Sequence, residues 1–161
     1  MSAAGADDGR LVAVDLDPDS IAPAGTFIDV ERATAVHDLL QDNRFRPAGR
    51  GGEFRLRLSA IDRKLVLDVA DGADTPVVRH MLSFTPFARL VKDYFLVCES
   101  YFAAVRGAGP AQIEALDMGR RGLHNDGAQL LIDRLAGKIE MDFATARRLF
   151  TLVCALRLRG P

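Results

Sequence analysis

Hydrophobic positions along the chain recur at two periods, two in the first half and three to four in the second. Leu11 to Leu16 sets Val12, Val14 and Leu16 on one face and Asp15 on the other, the period of a half-buried strand, and Asp-Pro-Asp-Ser at 17–20 ends it. Thr26 or Asp29 can cap a helix in which Val30, Ala33, Val36, His37 and Leu40 share one side, running to about Gln41 with Asn43 placed to end it. Phe54, Leu56 and Leu58 then alternate with Arg55, Arg57 and Ser59, and the run Leu65 to Val69 follows so closely that the pair reads as a hairpin. A two-residue turn at Asp62 and Arg63 sets Leu58 opposite Leu67, Leu56 opposite Val69, and Arg57 opposite Asp68, whereas a slip of one residue would oppose Leu58 to Asp68. The turn pair lacks the usual glycine, which leaves open a wider loop of the same parity. Val77 to Phe84 reads as a third strand, although its spacing also fits two helical turns.

The second half is helical. Thr85-Pro86 offers a hydroxyl cap and a proline at the first helical position. Leu90, Val91, Tyr94, Cys98, Tyr101, Phe102 and Val105 then recur at three and four, up to Gly107 and Gly109. Pro110 opens another helix with Ile113 and Leu116 inward. Gly119, Gly122 and Gly127 follow within nine residues; each costs roughly 1 kcal/mol against alanine inside a helix, so a break or bend is expected there. Leu130, Leu131 and Leu135 resume the pattern up to Gly137. Lys138 to Met141 is a brief strand, Asp142 a cap, and Phe143, Ala146, Leu149, Phe150, Val153 and Cys154 line a last helix. The expected fold is α+β: a small antiparallel sheet from the N-terminal half packed against helices mainly from the C-terminal half. The 161 residues suit one domain over 11–161, preceded by a disordered tail at 1–10.

Composition narrows the class. The longest uncharged stretches, Ser20 to Ile28 and His80 to Ala88, are far shorter than the roughly 20 apolar residues of a membrane span, and Met1 to Arg10 lacks the parts of a secretory signal, so a cytoplasmic protein with no membrane partner is expected. Cys98 and Cys154 fall inside apolar helical patterns and read as reduced core thiols. Net charge is −1, yet acids concentrate in residues 1–42 and Arg147, Arg148, Arg157 and Arg159 end the chain with no acid among them.

Three stretches carry a resemblance: Val91-Lys-Asp-Tyr-Phe-Leu-Val-Cys-Glu-Ser-Tyr101, Asp117-Met-Gly-Arg-Arg-Gly-Leu-His-Asn-Asp-Gly127 and Thr145-Ala-Arg-Arg-Leu-Phe-Thr151. With them the chain resembles uncharacterised protein family 0262 over Leu11 to Gly160, departing from it at Asp126, where a glutamate is expected. The resemblance implies a small cytoplasmic protein of alphaproteobacterial type and transfers no functional residue.

Among the residues themselves, the glycine-interrupted segment is the sharpest candidate. If the backbone opens there, Arg120, Arg121, His124 and Asn125 can converge on a phosphate or carboxylate, aided by free backbone amides where the helix restarts. The plain alternative is a kink whose arginines pair with Asp117, Asp126 or Asp133. His37, His80 and His124 are widely separated and no metal motif occurs, so no metal and no cofactor is expected. Arg44, Arg46, Arg50, Arg55 and Arg57, interleaved with Phe45 and Phe54, form a basic cluster, but a pI near 6.3 argues against nucleic acid. The leading expectation is a non-enzymatic module contacting a protein partner or its own copy as a homo-oligomer, modulated by a small anion. An enzyme acting on a phosphorylated or carboxylated small molecule through Arg120, Arg121 and His124 comes second, and a nucleic-acid-associated protein third.

Overall fold

The computed structural model describes residues 8–21 and 26–156, with side chains from Ile28 onward in the second stretch. Residues 1–7 of the expected tail lie outside the described residues, as do Arg157 and Arg159.

Strand β1 (Arg10–Leu16) leads through a short 3-10 turn at Pro18–Ser20 and helix α1 (Thr26–Gln41) to β2 (Phe45–Pro47). The hairpin β3 (Glu53–Ile61) and β4 (Lys64–Asp71) and the strand β5 (Pro76–Ser83) complete the first half. A 3-10 turn at Thr85–Phe87 enters α2 (Ala88–Ala104), followed by α3 (Pro110–Arg134), β6 (Ile139–Met141) and α4 (Phe143–Val153). The fold is α+β, with a four-stranded sheet in the order β1-β3-β4-β5 and a small ribbon of β2 with β6.

The hairpin has the register that charge and hydrophobicity dictate: Leu58 opposes Leu67, Leu56 opposes Val69 and Arg57 opposes Asp68. The turn is the two-residue one, with Asp62 and Arg63 both in the left-handed region at φ 51° and 62°. β5 extends the hairpin antiparallel, and its Arg79 forks onto Asp68 at 2.6 and 3.1 Å on the open face. The sheet is nonetheless mixed, because β1 joins β3 in parallel and places Asp15 beside Arg57. One face of the sheet carries Leu11, Phe54, Leu56, Leu58, Leu67 and Leu82 into a core shared with the helices.

One expected face and one expected cap differ. On α1 the buried residues are Ile28, Ala35 and Leu39, while Val30 is 54% exposed and Ala33 and His37 face outward. The helix is gripped by β1 on one side and α4 on another, so its apolar positions are divided between neighbours rather than gathered in one stripe. At the start of α2, Thr85 lies inside the 3-10 turn and its side chain caps nothing; its own N–H bonds Ser83 Oγ at 3.3 Å. Asp142, by contrast, caps α4 as its position implies, accepting from the Thr145 N–H at 3.0 Å.

The expected break at Gly119 to Gly127 is absent. α3 is one unbroken helix of 25 residues, about 38 Å long. Packing outweighs the glycine penalties. Gly127 lies so close to Phe150 of α4 that a methyl group there would overlap the ring, whereas a Cβ on Gly119 would make only ordinary contact with Val97 of α2 at 3.5 Å. Gly122 faces open space. Asp117 adds ion pairs to Arg120 at 2.8 Å and Arg121 at 3.2 Å within the helix.

Candidate ligand cleft between three helices

A continuous helix decides where the four candidate residues go. Arg120 and His124 stand one turn apart on one face, and Arg121 and Asn125 on the next. Arg120 turns inward, donating to Glu31 Oε1 and Asp117 Oδ1 at 2.8 Å each, with its guanidinium 4.5 Å above the Tyr101 ring. Arg121 and Asn125 lie on the exposed side. His124 packs against Tyr94, ring centroids 4.9 Å apart, with Nε2 3.0 Å from Thr151 Oγ1. The four therefore do not share a hollow: one guanidinium is bridged by two carboxylates of the chain, and of the four His124 alone lines the cleft between α1, α3 and α4.

That cavity, about 250 Å³, lies between α1, α3 and α4. α1 contributes Glu31, Thr34, Ala35 and Asp38, and α4 contributes Ala144, Arg147, Arg148 and Thr151. Both sets follow the spacing i, i+3, i+4, i+7 of a single helix face, so two helices present facing stripes with His124 between them. One stripe is acidic and the other basic. Ala35 and Ala144 are the small residues that keep the gap open.

Burial, reinforced by the cations of Arg147 and Arg120, holds His124 down at about 4, against a partial opposing pull from Asp117. The imidazole is neutral near pH 7. The Thr151 hydroxyl sits between it and the Arg147 carbonyl, 3.4 Å away, so when the hydroxyl donates to the carbonyl His124 donates from Nε2. Arg147 is half-buried, its Nε is sealed from solvent without an acceptor, and no carboxylate among the described residues pairs with it. Arg148 donates to the Asp42 carbonyl at 3.2 Å.

Two other regions were candidates. A hollow of about 940 Å³ lies over the open face of the sheet, but its arginines are engaged: Arg57 with Asp15 and Asp17, Arg79 with Asp68, and Arg55 with the Gly72 carbonyl. The basic cluster is likewise engaged, Arg44 with Asp8 at 2.8 Å, Arg46 with Glu140 at 3.3 Å, Arg50 with Asp71 at 3.7 Å and Arg55 with the Gly72 carbonyl at 3.2 Å. Phe45 and Phe54, the aromatics of that cluster, are core residues 0% and 1% exposed. Cys98 is buried in α2, and burial pushes its thiol up to about 11, away from nucleophilic use.

Glu31, Asp38, Thr34 and Thr151 were not singled out by sequence. The signal was the matching four-residue spacing of polar side chains on two separate helices, which acquires meaning only once the helices are known to face each other. In the sequence Arg147 and Arg148 stand out only as part of a basic chain end.

No helix of the described residues is long and apolar enough to cross a membrane. No solved structure matches the chain. The profile of the Uncharacterised protein family (UPF0262) matches residues 8–159. A UPF0262 protein of Chelativorans sp. (strain BNC1) is 58% identical over 152 residues, covering 93% of this chain and 94% of its own. The UPF0262 protein Atu0536 of Agrobacterium fabrum is 56% identical over 154 residues, 95% of this chain and 98% of its own, and that of Azorhizobium caulinodans is 56% identical over 154 residues, 94% and 95%. With nearly its full length matched by the profile and by these relatives, the chain belongs to the Uncharacterised protein family UPF0262.

Proposed function

We propose that this protein is a cytoplasmic binding module whose ligand is a small anion, taken up in the cleft between α1, α3 and α4, and that occupancy of the cleft modulates its contacts with a protein partner or a second copy. The observation that carries the reading is Arg147: a half-buried guanidinium at the cleft wall with which no carboxylate among the described residues pairs. A half-buried cation without a counter-charge attracts a carboxylate or phosphate, which meets it with a charge-assisted bond. Arg148 adds donors on the same wall, and the size of the cleft, under the roughly 300–1,000 Å³ of drug-sized pockets, fits a small guest.

Binding is favoured over catalysis by the state of His124. A general base works best with a pKa near the operating pH, and this imidazole sits well below it, packed on Tyr94 and tied to Thr151. Free, buried Cys98 and Cys154 fit a reducing compartment. Thermal unfolding at constant ionic strength tests the reading: phosphate or acetate should raise Tm, and Arg147→Gln should abolish the rise. An unchanged Tm, or a rise that survives Arg147→Gln, overturns it.

A further inference from the structure

The cleft walls carry opposite charge, and this says more about the guest than its being an anion. On α1, Glu31 and Asp38 are set two helical turns apart on the cleft face; on α4, Arg147 and Arg148 face them. Glu31 is already committed to Arg120 at 2.8 Å. Asp38 makes no ion pair among the described residues, and neither does Arg147, although both line the same gap. Two opposed charges that share a cleft without meeting leave room for something between them that satisfies both. A simple anion would neutralise Arg147 but would stand before the Asp38 carboxylate, where repulsion weakens it.

Resting on the anion reading above, we propose that the guest is a small zwitterion of the α-amino acid class. Its carboxylate is received by Arg147 and Arg148 with the Thr151 hydroxyl alongside, and its ammonium by Asp38, with Thr34 as a neutral acceptor beside it. His124, neutral and donating or accepting through Nε2, adds no charge to either end. The openness of the cleft between α1 and α4 leaves the guest's own side chain at the rim.

Calorimetric titration of the full chain tests this with the proteinogenic amino acids, each in three forms: free, N-acetylated (anion only) and as the carboxamide (cation only). The expected result is at least one free amino acid binding tenfold or more tightly than its N-acetyl and carboxamide forms. Asp38→Asn should bring the free form to the level of the N-acetyl form, and Arg147→Gln should remove both. Circular dichroism of each variant shows whether it remains folded, and Asp38→Glu, which keeps the charge, should restore part of the difference. If N-acetyl and free forms bind equally, the zwitterion proposal falls and the anion reading stands. If only carboxamides bind, or nothing does, both fall.

Discussion

Asn43 gives Leu11 the pair of bonds that a neighbouring strand would give. Its Oδ1 accepts from the Leu11 N–H at 2.7 Å and its Nδ2 donates to the Leu11 carbonyl at 3.0 Å. The same Nδ2 donates to the Leu39 carbonyl at 2.8 Å, so one amide fastens the end of α1 to the start of β1, where the β1–β3 register shifts between Leu11 and Ala13. Asn43→Asp keeps the shape and the acceptor but removes both donors and sets a carboxylate against two carbonyls. It should destabilise the fold by about 2–3 kcal/mol in urea unfolding near pH 7. A change within the error of the measurement would show that the amide fastens nothing.

Two glycines of α3 should respond in opposite directions to alanine. At Gly127 the added methyl overlaps the Phe150 ring, and Gly127→Ala should cost on the order of 1–3 kcal/mol as α3 and α4 are pushed apart. At Gly122 nothing lies near, and Gly122→Ala should raise stability by up to about 1 kcal/mol through helix propensity. Paired urea melts decide: loss at Gly122 as large as at Gly127 would mean that the helix is not continuous there.

His124 imposes a pH dependence of defined sign. Its ordinary value of 6.5 in the unfolded chain falls to about 4 in the folded one, so between these values the unfolded chain binds a proton that the native protein refuses. This contribution is fully present above pH 6.5 and is lost as pH falls toward 4, amounting to about 3 kcal/mol at most. Burial lowers His80 as well, in the same sense. His124→Gln should flatten stability between pH 7 and 4.5 relative to the unaltered chain, measured by urea melts across that range. Parallel curves for the two would refute the burial of the imidazole as its cause.

How much of this could be read beforehand depended on whether the deciding interactions were local. The β3–β4 register was legible because Arg57 and Asp68 meet across a short turn, and a single slip would bury a charge. The cap at Asp142 was legible for the same reason: donor and acceptor are three residues apart. The face of α1 was not, because Ile28, Ala35 and Leu39 win over Val30 and Ala33 only through the neighbours that surround the helix. The continuity of α3 was hidden in Phe150, which fills the space that Gly127 vacates from a different helix. Of the four residues gathered around the glycines, His124 alone lines the cleft, and its companions there come from α1 and α4.

The parallel seating of β1 bears on how the chain assembles. Arg10 aligns with Glu53, so the first strand leaves the ribosome well before its partner exists, while β3, β4 and β5 follow one another and can zip up at once. The meander should therefore form early and the leading segment should dock late, with Asn43 as the latch that closes behind it.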